Sequence, residues 1–149
     1  LDNVLKVRNK KRVVKYKIEI KSVKKNDSEF LYQLLLDREP IANISHKKMP
    51  TYNQHLKFLK SKPYSKWYII WNNEQRIGSV YLTKQDEIGI VIKKEYQKEG
   101  IGKTALELVI NQNPRQKYLA NIAPKNIHSK RFFEKNGFKL IQHTYELTS

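Results

Sequence analysis

The residues best suited to chemistry run from Ile88 to Thr104. An alternating apolar run, Ile88-Gly89-Ile90-Val91-Ile92, leads into a turn that holds Gly100 and Gly102, and the turn opens an amphipathic helix carrying Ile101, Ala105, Leu108 and Val109. Backbone N–H groups at a helix N-terminus are unpaired and sit at the positive end of the helix dipole, so they bind anions. The two glycines let the backbone approach a phosphate with no Cβ between. Lys98 and Lys103 add positive charge. The chemistry expected is capture of a pyrophosphate. Two nucleotide-binding patterns fail here. A P-loop would need glycine at position 97, which is Gln, although Gly102-Lys103-Thr104 matches its end. A dinucleotide fingerprint would need a third glycine at 105, which is Ala, and a βαβ unit around it.

A second segment changes the reading. Residues 97–102 are Gln-x-x-Gly-x-Gly, and further on come Asn126-Ile127-His128-Ser129-Lys130-Arg131-Phe132-Phe133-Glu134-Lys135-Asn136-Gly137-Phe138. Together these resemble the GNAT superfamily of acyl-CoA transferases, whose pyrophosphate loop and following Asn-to-Gly-Phe helix have these residue types in this order. The resemblance implies that Gln97 opens the loop and that the amides of Lys98, Glu99, Gly100, Ile101, Gly102, Lys103 and Thr104 hold the CoA pyrophosphate. It implies that the strand edge at Ile90, Val91 and Ile92 pairs with the pantetheine arm, with an amide at Val91 or Ile92 polarising the thioester carbonyl. Asn126 would touch the pantetheine, Ser129 the phosphates, and Phe133 the thioester end or the core.

The implied reaction is N-acetyl transfer from acetyl-CoA to a primary amine, by direct attack in a ternary complex. The chain has no Cys to carry an acyl intermediate. The acceptor expected is an amino sugar or other small molecule, ahead of a protein N-terminus. Glu87, ten residues before Gln97, lies near where some family members carry a general base. Phe133 stands where many have an acidic Tyr, so Tyr145, Tyr81 or a water would protonate the leaving thiolate. His46, His55, His128 and His143 are scattered without metal-ligand spacing, so no metal is expected. Two other readings stay open: a nucleic-acid-binding module using the basic N-terminal segment, and a CoA-binding domain without turnover.

These groups need a scaffold, and the pattern supplies one. Residues 13–23 alternate as a strand with one wet face, with Val14, Tyr16, Ile18 and Ile20 against Lys15, Lys17, Glu19 and Lys21. Asn26 or Asp27 can cap a helix running to Arg38, and Thr51 can cap a second, which carries Tyr52, Leu56 and Leu59. Three strands over residues 67–71, 77–83 and 87–93 are joined by short turns, as in an antiparallel meander. After the glycine turn and its helix come a strand over 118–123, a helix over 126–136 capped by Gly137, and one or two strands over 138–147. The expectation is a single α+β domain over residues 1–149. It has a central, mostly antiparallel mixed sheet of about seven strands, flanked by about four helices and splayed at the CoA site. By the same resemblance, the loop from Asp37 to Pro50 and the C-terminal strands set acceptor specificity.

The net charge of +16 comes from 30 Lys+Arg against 14 Asp+Glu, and half of it lies in residues 1–25. Such a balance suggests a polyanionic partner. Only six of the basic residues are Arg, however, and nucleic-acid readers favour the Arg fork. Nucleic acid is therefore disfavoured. No stretch approaches the roughly 20 apolar residues of a membrane span, and residues 1–15 are too basic for a signal sequence. The expected setting is cytoplasmic, with acetyl-CoA and an amine as partners and a homodimer as an open option.

Overall fold

The computed structural model describes residues 4–9, 12–38 and 48–149. Residues 39–47, which belong to the expected acceptor loop, and Lys10 and Lys11 of the basic segment lie outside the described residues.

Five strands form one antiparallel sheet in chain order: β1 (Val4–Asn9), β2 (Arg12–Ser22), β3 (Lys66–Asn72), β4 (Gln75–Leu82) and β5 (Ile88–Ile92). The alternation read in β2 is the alternation observed. Ile18 and Ile20 are buried, while Lys17 and Lys21 face solvent. β3 and β4 form a hairpin through Asn73, whose φ of 54° suits the left-handed tolerance of Asn. A bulge after Ile70 shifts their register.

Helices cover both faces of the sheet. On one side α1 (Ser28–Leu36) and α2 (Tyr52–Lys60) pack Leu31, Leu34 and Leu59 against Trp67, Ile69, Trp71 and Val91. On the other side α3 (Ile101–Gln112) places Ile101, Ala105, Leu106, Leu108 and Val109 against Ile18, Ile20, Tyr68, Ile70, Val80 and Ile88. Phe132, on α4 (Ile127–Lys135), joins that second cluster.

The caps show which local signals were sufficient. Thr51 accepts the Gln54 N–H at 3.2 Å, and the Gln54 side chain accepts the Thr51 N–H at 2.9 Å, a reciprocal capping box. Asp27 does not cap α1 through its side chain. Its buried carboxylate accepts the Lys24 N–H at 2.7 Å and pairs with Arg76 at 2.8 Å, tying the entry of α1 to β4. Gly137, at φ 91°, closes α4. Phe138 donates its N–H to the Phe133 carbonyl at 3.0 Å, and the two rings meet at 5.0 Å. That is a Schellman ending with its hydrophobic contact.

The strand count differs from the expected seven: the described residues form five. The expected strand over 118–123 makes one parallel bridge, Glu87 to Leu119, and no ladder. The 138–147 segment forms no strand. Leu140, Ile141, Tyr145 and Leu147 are 69%, 72%, 90% and 98% exposed. An apolar-rich segment becomes a strand only where an edge pairs with it along its length, and neither segment has such a ladder. No helix among the described residues is long and apolar enough to cross a membrane.

Candidate functional site

The site follows from the way β5 parts from its neighbour. At its start, Ile88 donates to the Leu119 carbonyl at 2.7 Å, and Leu119 donates to Asp86 at 2.9 Å. Pairing then stops. Beyond this point Ile88 to Val91 form one wall of an opening, and Asn121, Ile122 and Ala123 form the other. Asn126, Ser129 and Phe133 of the α4 region and Tyr81 of β4 complete it, together with Arg38 just after α1. This is the splay expected at residues 87–93 and 118–123.

Backbone alternation decides which groups of β5 face the opening. Ile88 points its N–H to Leu119, whereas Lys93 points its N–H to the Ile77 carbonyl of β4, at 2.9 Å. Successive residues of a strand point to opposite edges. The amides of Ile90 and Ile92 therefore face the opening, and those of Gly89 and Val91 serve the ladder with β4. Of the two amides considered for the carbonyl, only that of Ile92 is on the open edge. Val91 still forms part of the wall.

The glycine turn lies at the far end of β5. Gln97 bends back to donate its side-chain amide to the Ile92 carbonyl at 2.9 Å, anchoring the loop to the strand. Lys98 sits at φ 63° and Gly100 at φ 78°, two left-handed residues in three. Gly100 is the N-cap of α3, and Thr104 N–H to Gly100 O at 3.3 Å opens the helical ladder. The amides of Ile101, Gly102 and Lys103 precede that ladder, so the helix itself does not satisfy them. Glu99 is half-buried, while Lys98 and Lys103 are exposed. Gly102 has a different reason for its size: a Cβ there would stand 3.0 Å from the Phe132 ring. The second glycine lets α4 close against the first turn of α3.

On α4, Asn126 Oδ1 accepts the Ser129 N–H at 3.2 Å, so Asn126 is the N-cap while also lining the opening. Phe133 is 7% exposed and packs edge-on between Phe132 and Phe138. It carries no hydroxyl, and its ring forms a wall.

Glu87 stands at the mouth. One carboxylate oxygen accepts the Thr83 hydroxyl at 3.0 Å, and the other accepts a hydrogen from the Asn121 amide. It thus braces the β4–β5 turn to the opposite wall. Of the three proposed proton donors, Tyr81 lines the opening and Tyr145 does not, since Tyr145 lies in the exposed C-terminal segment. Tyr81 stacks on Tyr64, with centroids 4.0 Å apart and planes within 4°. Burial pushes both phenols upward, while the Arg38 charge pulls each down. Arg38 and Tyr64 were not singled out from the sequence. Each is a single residue in an unpatterned stretch, and only the fold brings them to Tyr81. No cluster of three metal-ligating side chains occurs among the described residues.

A thioester cofactor with a diphosphate fits this donor set. The turn offers first-turn amides beside two exposed lysines, and the open edge of β5 offers strand amides to an extended arm. Comparison with known proteins agrees. A family model for the acetyltransferase (GNAT) domain matches residues 17–139. No curated protein matches the sequence. Among solved structures, a domain from Methanocaldococcus jannaschii DSM 2661 aligns with a TM-score of 0.76 at 26% identity, covering 88% of this chain and 94% of that one. Spermidine N-acetyltransferase from Vibrio cholerae, in complex with CoA and spermine, aligns at 0.71 and 16% identity, covering 85% and 83%. RimL, a ribosomal L7/L12 alpha-N-protein acetyltransferase in complex with CoA, aligns at 0.66 and 17%, covering 84% and 81%. These last two share the fold. With a family match over most of its length, a splayed sheet and a glycine turn at the start of α3, this chain belongs to the GNAT acetyltransferases, which use acetyl-CoA.

Proposed function

We infer that the protein transfers the acetyl group of acetyl-CoA to the primary amine of a small molecule, with both substrates bound together. The observation that carries this reading is the opening between β5 and residues 121–123, with the glycine turn at one end and Glu87 and Tyr81 at the other. When bound, acetyl-CoA supplies an acetyl thioester, and transfer forms an N–C amide bond as the C–S bond breaks.

The chain's own groups divide the work. The amides of residues 98–104 and the nearby lysines hold the diphosphate by helix-terminus electrostatics. The N–H groups of Ile90 and Ile92 pair with the pantetheine arm as an added strand would. Asn126 and Ser129 line its path, and Phe133 keeps water from the thioester end. Glu87 accepts the proton of the incoming ammonium, directly or through one water. Tyr81 Oη holds the proton needed by the departing sulfur, and burial keeps that phenol protonated at neutral pH.

Two measurements test this reading. Calorimetric titration with acetyl-CoA at low salt should show one saturable site, and thiol release across an amine panel should show turnover. Absence of binding overturns the reading. Binding with no release on any amine favours a CoA-binding domain without turnover.

A further inference from the structure

The acid assigned to the leaving sulfur gets little support from the strand beside it. Tyr81 lies on β4, and its cross-strand partner on β5 is Gly89. Gly89 leaves room for the phenol to lie across it, since a Cβ there would fall within the ring, but it has no side chain to grip that ring. The grip comes from Tyr64. The two rings stack with centroids 4.0 Å apart and planes within 4° of parallel. Tyr64 sits half-buried in the turn that leads into β3.

Tyr64 is itself held. Its ring meets Trp67 in a T-shaped contact, with centroids 4.8 Å apart and planes at 80°, and meets Phe58 of α2 at 5.8 Å and 83°. Edge-to-face packing of this kind is directional, so it fixes orientation as well as distance. The Trp67 indole donates its Nε1 hydrogen to Ser79 Oγ at 2.8 Å. Ser79 is 5% exposed and donates its hydroxyl to the Tyr68 carbonyl at 3.0 Å. A continuous line of contacts thus runs from a buried hydrogen bond on β4, through Trp67 and Tyr64, to the phenol in the opening. Of these residues only Tyr81 lines the opening, so the others reach the reaction through it.

We propose that Tyr64 is a positioning residue for the acid: with Trp67 and Ser79 behind it, its ring fixes where the Tyr81 hydroxyl stands. This deepens the acetyl-transfer reading and rests on it. As the C–S bond breaks, its electron pair goes to sulfur, the Tyr81 proton follows, and the phenolate takes a proton back from water. Proton transfer needs hydrogen-bond reach, and a misplacement of about 1 Å can cost roughly 10²-fold in rate.

The test compares the parent with Tyr64→Phe, Tyr64→Leu, Tyr81→Phe and the double variant Tyr64→Leu/Tyr81→Phe. Turnover is read by thiol release with the best amine of the panel, and acetyl-CoA affinity by calorimetry, which also reports folding. Tyr81→Phe should lose roughly 10²-fold in kcat. Tyr64→Leu should lose roughly tenfold or more with acetyl-CoA affinity held. Tyr64→Phe keeps the stacked ring and should keep most of the rate. The double variant should be no slower than Tyr81→Phe, because Tyr64 acts through that hydroxyl. Trp67→Phe, a milder change that loses the bond to Ser79, should show the same dependence on Tyr81 at smaller size. A parental kcat in Tyr64→Leu overturns the proposal. So do equal losses in Tyr64→Phe and Tyr64→Leu, or losses that multiply in the double variant. A parental kcat in Tyr81→Phe removes the acid and the role of Tyr64 with it, while acetyl transfer stands. If the parent releases no thiol on any amine, acetyl transfer fails, and nitration of Tyr81 by tetranitromethane decides the role of Tyr64. Read by mass on the tryptic peptide 77–84, whose one tyrosine is Tyr81, nitration should be faster in Tyr64→Leu than in the parent. Equal rates overturn the proposal.

Discussion

Tyr81 lies across Gly89 so closely that a Cβ on residue 89 would fall within its phenol ring. Tyr64 stacks on that ring with centroids 4.0 Å apart. Gly89→Ala must therefore displace Tyr81 and break the stack. Overpacking of this kind costs about 1–3 kcal/mol, read as a lower urea midpoint. Tyr81→Ala in the same background should recover part of that loss, giving a coupling of about 1 kcal/mol in a double-mutant cycle. Turnover should fall in Gly89→Ala while acetyl-CoA affinity holds, because the glycine turn lies at the other end of β5.

Glu87 has two roles that can be separated. As a brace it joins Thr83 to Asn121, and as the proposed base it would accept a proton. Glu87→Gln keeps the size and some of the hydrogen bonding but cannot accept that proton. The expected result is a fall in kcat of about 10²-fold or more, with little change in KM. Thr83→Val removes the brace and the hydroxyl that accepts the Gln85 and Glu87 N–H groups, so it should lower stability while costing far less kcat than Glu87→Gln.

The patterned parts of the chain were legible, and the parts that depend on a partner were not. Ile18 and Ile20 against Lys17 and Lys21 announce a half-buried strand, and Thr51 with Gln54 announces a helix start, because those signals are local. The glycine turn was legible for the same reason, although Gly102 owes its size to Phe132, some thirty residues away. The 118–123 segment, Tyr-Leu-Ala-Asn-Ile-Ala, reads as a strand, yet β5 leaves it after one bridge. The site is where pairing stops, and sequence periodicity carries no sign of that. The mouth was the least legible. Arg38, Tyr64 and Tyr81 come from the end of α1, the approach to β3 and the end of β4, and no spacing links them.

Gly100 tests the turn. At φ 78° an L-residue is strained, so Gly100→Ala should cost about 1–2 kcal/mol by chemical denaturation. Gly100→Glu adds a carboxylate where the diphosphate is expected. It should weaken acetyl-CoA binding well beyond the effect of Gly100→Ala, and raising the salt concentration should narrow the gap between the two. If both variants bind acetyl-CoA like the parent, the diphosphate lies elsewhere.

His55 gives the fold an acid-sensitive point. It is 2% exposed on α2, against the rings of Tyr32 at 5.3 Å and Tyr52 at 6.4 Å, and its buried Nε2 has no hydrogen-bond partner. Desolvation lowers its pKa below the usual 6.5, with a backbone hydrogen bond to Ser28 opposing in part. Below pH 6.5 the unfolded chain takes up a proton at this position that the folded chain resists. Stability is therefore fully present above that pH and declines as the solution is acidified toward the folded pKa, below which both states are charged and the decline from this group stops. Urea midpoints measured from neutral pH down to pH 5 should fall for the parent protein. His55→Phe keeps a ring in the slot and removes the titration, so its midpoint should fall less over the same span. Parallel curves for the two proteins would mean that the acid sensitivity arises elsewhere.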